Sequence, residues 1–283
     1  MPLYRPSELR EFLASLGIFP KKKLSQNFLI DGNVLKKIAA LSELKAGDWV
    51  VEIGPGPGVL TELLLEQGCH VVAIEKDTVF AGALKRLQNS TNSLEVCCGD
   101  IMDFSFEEHL KKRLPQGTKA KVVANIPYHL TSPIIEKILS APSVIQSATL
   151  MVQEEVARRC VARPGGADFS SFSVFLQFYS HVRYGFLVPP NCFYPPPKVD
   201  SAVIRFDLQK KFSLADEEGF FKMVRCAFMQ RRKMAKSSLR QLYESENIEN
   251  AFHKLGKNPQ VRPEEISLEE WVQFFELLQV PQQ

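Results

Sequence analysis

The chain has 283 residues, of which 45% are hydrophobic and 24% charged, with 15 Gly, 18 Pro and a formal net charge of +3. At roughly 150 residues per domain this is about two domains, and a chain of this size buries about 75% of its unfolded surface. The composition excludes collagen, a disordered tail and a disulfide-stapled miniprotein.

No apolar run reaches the roughly 18 residues of a membrane span, and Met1 to Leu13 carries Glu8 and Glu11 in place of a signal-peptide core. A cytoplasmic protein without membrane contact is expected. Cys69, Cys97, Cys98, Cys160, Cys192 and Cys226 show neither C-x-x-C nor a Cys/His cluster of zinc spacing, so reduced thiols and no metal are expected.

From Asp31 to Gln153 the pattern alternates. Asp31 to Leu44 reads as a helix with Val34, Leu35, Ile38 and Leu41 on one side, Trp49 to Ile53 as a strand, and Leu60 to Glu66 as a helix. Strands are expected again at Cys69 to Ile74, Ser93 to Cys98, Lys121 to Asn125 and Ala148 to Gln153, with helices at Val79 to Leu87 and Ser132 to Leu139. Continuous apolar strands separated by helices predict a doubly wound α/β domain with a parallel sheet covered on both faces.

Beyond it, Phe172 to Tyr179 fits a helix or a strand, and Pro189 to Pro197 must be an irregular loop, because proline joins neither a helix interior nor a central ladder. Val199 to Leu208 alternates like a strand. After Lys211 only helical spacing appears, as in Phe220, Phe221, Val224 and Phe228, and Ser267-x-x-Glu270 is a capping-box signature before Trp271, Phe274, Phe275 and Leu278. The expected division is an α/β domain over 1–210, with residues 1–30 as an N-terminal extension, and a smaller all-helical domain over 211–283. Charge is polarised within the latter: Lys210 to Arg240 holds nine basic and three acidic residues, Gln241 to Gln283 three basic and eight acidic. Such a block serves either as a phosphate contact or as a solvated helix face.

Three strand ends carry the candidate chemistry. After the first strong strand, Gly54-Pro55-Gly56-Pro57-Gly58 forms a glycine turn through which a ligand can approach the backbone at the carboxyl edge of the sheet. Val59 stands where a dinucleotide fingerprint wants a small residue. Glu75 ends the second strand, where an acid accepts both ribose hydroxyls of an NAD or S-adenosylmethionine site, and Asp100 follows the third strand, placed for an adenine amino group. At the end of the fourth strand stands Asn125-Ile126-Pro127-Tyr128. An exocyclic amine is a poor nucleophile because its lone pair is delocalised into the ring. The Asn125 side-chain oxygen and the Ile126 carbonyl offer two acceptors to orient it, Pro127 sets the turn, and Tyr128 offers a ring on which an everted base can stack.

These motifs, with Lys23-Leu24-Ser25-Gln26-Asn27-Phe28-Leu29, Pro195-Pro196-Pro197-Lys198-Val199-Asp200-Ser201 and Gln230-Arg231-Arg232-Lys233, occur in an order that resembles the ribosomal RNA adenine dimethyltransferases, the bacterial small-subunit type above all. The resemblance runs from about Lys21 to Arg240. It implies a Rossmann-like methyltransferase domain and a helical RNA-binding domain. It also implies transfer of methyl groups from S-adenosylmethionine to N6 of two adjacent adenosines near the 3′ end of 16S rRNA, within an immature 30S particle.

By the same resemblance, Gln26, Asn27 and Leu29 close over the cofactor, Gly54 and Gly56 pass beneath it, Glu75 holds the ribose and Asp100 the adenine, and Asn125 serves both cofactor and target amine. Phe193 is the ring expected opposite Tyr128 across the base. Lys22, Lys23, Lys198, Arg231, Arg232 and Lys233 are the expected RNA contacts, and a monomer is expected. Ser25, Pro57, His129 and Met229 depart from the family pattern without touching an atom that does chemistry. The competing readings are a 23S rRNA adenine methyltransferase of the macrolide-resistance type, an NAD-dependent oxidoreductase, which Val59 disfavours, and a non-catalytic ribosome-assembly factor. The Pro-Pro-Pro-Lys-Val-Asp stretch favours the 16S enzyme.

Overall fold

The computed structural model describes residues 3–18, 27–90, 93–230 and 233–279. In chain order the elements are α1 (Pro6–Ser15), β1 (Phe28–Leu29), α2 (Gly32–Leu41), β2 (Trp49–Ile53), α3 (Val59–Glu66), β3 (His70–Glu75), α4 (Thr78–Ala83), β4 (Leu94–Cys98), α5 (Phe106–Leu110), β5 (Ala120–Asn125), α6 (Thr131–Leu139) and β6 (Ile145–Gln153). They continue with α7 (Glu154–Val161), α8 (Ser171–Tyr179), β7 (Ser180–Val188), β8 (Phe193–Tyr194), β9 (Ser201–Leu208), α9 (Glu217–Phe228), α10 (Ala235–Leu239), α11 (Ser245–Lys254) and α12 (Leu268–Gln279). Every strand and helix expected up to Gln153 is present within a few residues. Among the described residues no helix is long and apolar enough to cross a membrane.

One sheet has seven strands in the order β4-β3-β2-β5-β6-β9-β7, and β1 pairs antiparallel with β8 in a separate two-stranded ribbon. The pairs β2–β3, β3–β4, β2–β5 and β5–β6 are parallel, and β6–β9 is antiparallel. Val50, Val51, Val71, Val72, Ala73, Val122 and Val123 are at most 1% exposed, as a sheet buried on both faces requires. Chain order runs outward from β2 through β3 to β4 on one side and from β5 to β6 on the other. A crevice therefore opens between β2 and β5 at their carboxyl ends, where open α/β sheets bind ligands.

Two compact units emerge: Met1–Ala157 with Arg183–Gln209, and Arg158–Val182 with Lys210–Gln283. The observed division thus departs from a single cut near residue 210. The reason is α8, which a serine cap starts: the Ser170 hydroxyl accepts the Ser173 amide, and the Ser173 hydroxyl accepts the Ser170 amide. Val174 and Phe178 on α8 are fully buried, and Phe178 packs on Phe220 and Phe221 of α9 at ring-centroid distances of 5.5 and 5.1 Å. An aromatic core of this kind claims α8 for the helical unit. In the same unit the Ser267-x-x-Glu270 box forms as expected, with the Glu270 amide donating to Ser267 Oγ and the Ser267 amide to Glu270.

Candidate functional site

A cavity of about 420 Å³ lies in the first unit at the carboxyl ends of β2, β3 and β5, a size within the range of small-molecule sites. Asn27, Leu29, Gly54, Gly56, Glu75 and Asn125 all line it, as do Ile126, Pro127 and Tyr128. Most of the expected cofactor set and the whole Asn-Ile-Pro-Tyr turn are therefore brought to one place from four separated segments.

The glycine turn is dictated by its backbone. Gly54, Gly56 and Gly58 have φ of 67°, 54° and 87°, a region that side chains with Cβ rarely enter. A Cβ on Gly58 would stand 2.7 Å from Leu84 Cδ2, whereas one on Gly54 would meet nothing within 4 Å. Gly58 thus lets the turn close on the helical layer, and Gly54 borders open space where it lines the cavity.

Glu75 stabilises this turn. The Gly56 amide donates to Glu75 Oε2 at 2.9 Å and the Asp77 amide to Oε1 at 2.8 Å. Each carboxylate oxygen keeps a further lone pair, which is what two hydroxyls on adjacent carbons would need. Burial raises the Glu75 pKa above its ordinary value, opposed by the two amides.

Glu52, which the sequence reading did not single out, also lines the cavity and is 1% exposed. Burial pushes its carboxyl up to about 8, against the Thr61 hydroxyl that donates to Oε2 at 2.6 Å. The signal available was an acid inside an otherwise apolar buried strand.

Asn125 closes the other side. Its side-chain N–H donates to the Asn27 carbonyl at 3.2 Å, which leaves the acceptor oxygen as the free polar end of the amide. The phenol of Tyr128 and the Ser201 hydroxyl share a hydrogen bond of 2.7 Å, and burial raises the Tyr128 pKa. The exposed His129 lines the cavity rim.

Two expected residues are placed otherwise. Phe193 is 2% exposed and packed in the core that includes Leu29, Leu35 and Val188, with its backbone paired to Leu29 across β1–β8. It presents no free face for a base in this structure, because strand pairing turns its ring inward. Asp100 does not line the cavity: its carboxylate accepts the Lys76 ammonium and the Met102 amide at 2.8 and 2.9 Å. The Lys76 bond, followed by that amide, holds its pKa below the ordinary carboxylate value.

Lys198 and Lys233 are exposed, each in its own unit. Gln26, Lys22, Lys23, Arg231 and Arg232 lie outside the described residues.

The sheet edge also assembles a cluster that spacing did not announce. His109 Nε2 stands 3.1 Å from Glu95 Oε1 and 3.6 Å from Cys97 Sγ. Arg113 grips both oxygens of Glu95 at 2.6 Å. This guanidinium fork satisfies the carboxylate, and the group is accounted for as an ion-paired hydrogen-bond cluster.

The profile of the ribosomal RNA adenine dimethylase family matches residues 20–280. "Ribosomal RNA small subunit methyltransferase A" of Protochlamydia amoebophila is 54% identical over 275 residues, 97% of each chain. The protein of the same name from Chlamydia caviae is 46% identical over 276 residues, 96% of this chain and 97% of its own.

Among solved structures, the 23S rRNA methyltransferase ErmE aligns over 90% of this chain and 100% of its own at 28% identity and a TM-score of 0.70. A dimethyladenosine transferase from Plasmodium falciparum aligns over 87% of this chain and 95% of its own at 25% identity and a TM-score of 0.71. With an Asn-Ile-Pro-Tyr turn and a glycine turn facing one cavity, and near-complete coverage by these relatives, the chain belongs to the ribosomal RNA adenine dimethylase family.

Proposed function

We propose that the protein uses S-adenosylmethionine to dimethylate N6 of two adjacent adenosines near the 3′ end of 16S rRNA within an immature 30S particle, acting as a monomer in the cytoplasm. The observation that carries this reading is the shared cavity: the donors and acceptors for a cofactor and those for a target amine face one space at the switch point of the sheet.

The cavity fits the cofactor. Glu75 retains one lone pair on each oxygen after binding Gly56 and Asp77, suited to a ribose diol, and Gly54, where a Cβ would meet nothing within 4 Å, offers open backbone, while the Phe28 ring covers Gly56. Asn27, Leu29 and Asn125 line the same space. When bound, S-adenosylmethionine supplies an electrophilic methyl on a positively charged sulfur.

The chain's own contribution is alignment. With its N–H committed to Asn27, the Asn125 side chain offers its oxygen to one amine hydrogen, and the Ile126 carbonyl serves the other. Two acceptors favour a pyramidal nitrogen with its lone pair available. Tyr128 supplies the stacking face, worth about 1 to 3 kcal/mol per base. No side chain need be a tuned general base, because the methylated nitrogen is acidic enough to lose its proton to water. Lys198, Lys233 and the basic residues from 22 to 23 and 231 to 232 supply phosphate contacts.

The identities of 54% and 46% to small-subunit enzymes, against 28% to the 23S enzyme, support the small subunit as substrate. The test offers methyl-labelled S-adenosylmethionine with immature 30S particles and, separately, with free 23S rRNA, followed by nucleoside analysis. Label in N6,N6-dimethyladenosine at two neighbouring positions of 16S rRNA is expected. Label confined to 23S rRNA overturns the substrate, and label in neither overturns the activity.

A further inference from the structure

Ser201 closes the Pro195-Pro196-Pro197-Lys198-Val199-Asp200-Ser201 motif, and no cofactor or substrate contact has been assigned to it. It opens β9 and is fully buried, and its hydroxyl lies 2.7 Å from the phenol oxygen of Tyr128, 73 residues away in the chain. A buried hydroxyl is costly unless paired, and Tyr128 is its pairing here.

Register explains how it arrives there. Asn125 of β5 stands opposite Met151 of β6, Met151 opposite Val203 of β9, and Gln153 opposite Ser201. Residues in register share a face, and positions two apart along a strand share it too. Asn125 and Met151 both line the cavity. Ser201 therefore sits on the cavity face of the sheet, further toward the carboxyl end of β6, next to the turn that carries Tyr128. Its backbone is anchored: the Glu154 amide donates to the Asp200 carbonyl at 3.0 Å and closes the end of the β6–β9 ladder.

We infer that Ser201 is a positioning residue for the methyl transfer proposed above, holding the far end of the Tyr128 ring so that the ring stays beside Asn125 and presents its face to the target base. The inference rests on that functional reading.

The hydroxyl lies on the long axis of the ring. Pinning it stops the ring from leaning about its Cα–Cβ bond, and the preference of a phenol for hydrogen bonds in its own plane restrains rotation about the axis. At the other end, the Thr131 hydroxyl donates to the Tyr128 carbonyl at 3.0 Å and holds the backbone. With Ser201 absent, the everted base meets a mobile platform, so fewer encounters place its amine in line with the methyl group.

A double-mutant cycle on the full chain tests this, with single-turnover methyl transfer to 30S particles and calorimetric cofactor binding as readouts. Ser201→Ala is expected to slow transfer about tenfold while cofactor Kd stays within about twofold, and Ser201→Thr, which keeps the hydroxyl, is expected to recover most of the rate. Tyr128→Phe should cost a similar factor, and adding Ser201→Ala to it should cost nothing more, since one hydrogen bond cannot be lost twice. Additive losses, or an unchanged rate in Ser201→Ala, overturn the inference.

A second readout is independent of the substrate. In protein labelled with 13C at tyrosine Cζ, the Tyr128 resonance, identified by its loss in Tyr128→Phe, should shift in Ser201→Ala and hold in Ser201→Thr. A resonance that does not move in Ser201→Ala overturns the pin even if wild-type protein proves inactive on 30S particles, a result that would instead sink the functional reading.

Discussion

The side-chain N–H of Asn125 donates to the backbone carbonyl of Asn27 at 3.2 Å across 98 residues of sequence. The bond ties the end of β5 to the residue before β1 and selects which end of the amide remains as an acceptor. Asn125→Asp puts an acceptor where a donor is needed and turns the carboxylate away from Asn27, and Asn125→Ala removes both ends. Either change should lower single-turnover methyl transfer by about 100-fold or more, the scale of losing a donor or acceptor aimed at the reacting group. A rate near wild type for Asn125→Ala in a quench-flow assay would remove the amine-orienting role.

Glu52 makes stability depend on pH in a direction opposite to that of a salt-bridged acid. Its folded pKa is raised to about 8 from an ordinary value of 4.5, because burial disfavours the charged form. Between those two values the folded state holds more protons than the unfolded one, so stability falls as pH rises from about 4.5 to about 8 and levels off above. Glu52→Gln keeps an oxygen for the Thr61 hydroxyl and removes the titration. The decline in melting temperature of the cofactor-free protein from pH 5 to pH 8 should be shallower in the variant, and parallel curves for the two proteins would refute the assignment.

Gly58 has φ of 87°, and a Cβ there would lie 2.7 Å from Leu84 Cδ2 and 3.1 Å from Leu87 Cδ1. Leu84 is fully buried, so giving way would require its side chain to repack within the core. Gly58→Ala therefore combines a left-handed backbone with overpacking and should destabilise the fold by about 1 to 3 kcal/mol in denaturant titration. Cofactor affinity should drop with it, because the turn begins α3. A stability change below the error of the titration would show that the helical layer yields.

Reversing Arg231, Arg232 and Lys233 to glutamate should weaken binding to 30S particles and flatten its dependence on salt, by roughly one unit of log–log slope per lost phosphate contact. Cofactor affinity should not change. A salt slope equal to that of wild type would place this cluster on a solvated face. Lys198→Ala should lower the slope by a smaller step.

Much of the architecture was legible because it depends on local spacing. The apolar runs Trp49–Ile53 and His70–Glu75 announce buried parallel strands, and the glycine and Asn-Ile-Pro-Tyr turns mark their carboxyl ends. β7 and α7 escaped: Ser180–Val188 mixes buried and exposed residues without strict alternation, and Glu154–Val161 follows a strand directly, with no turn residue to separate them. The residues of α8 fitted a helix or a strand equally, and carried no signal of which core would receive Phe178.

The sequence by itself determined the strand-to-helix alternation, the glycine turn after the first strong strand and the Asn-Ile-Pro-Tyr turn after the fourth, since each follows from the preferences of neighbouring residues. The tertiary structure alone decided which side chains meet. Asn125 finds Asn27 and Tyr128 finds Ser201 across 98 and 73 residues, burial raises the pKa of Glu52 to about 8, Lys76 engages Asp100, and the β1–β8 pairing turns Phe193 into the core. Partners and protonation states are set by sheet register and by exclusion of water, and these arise only when distant segments are packed together.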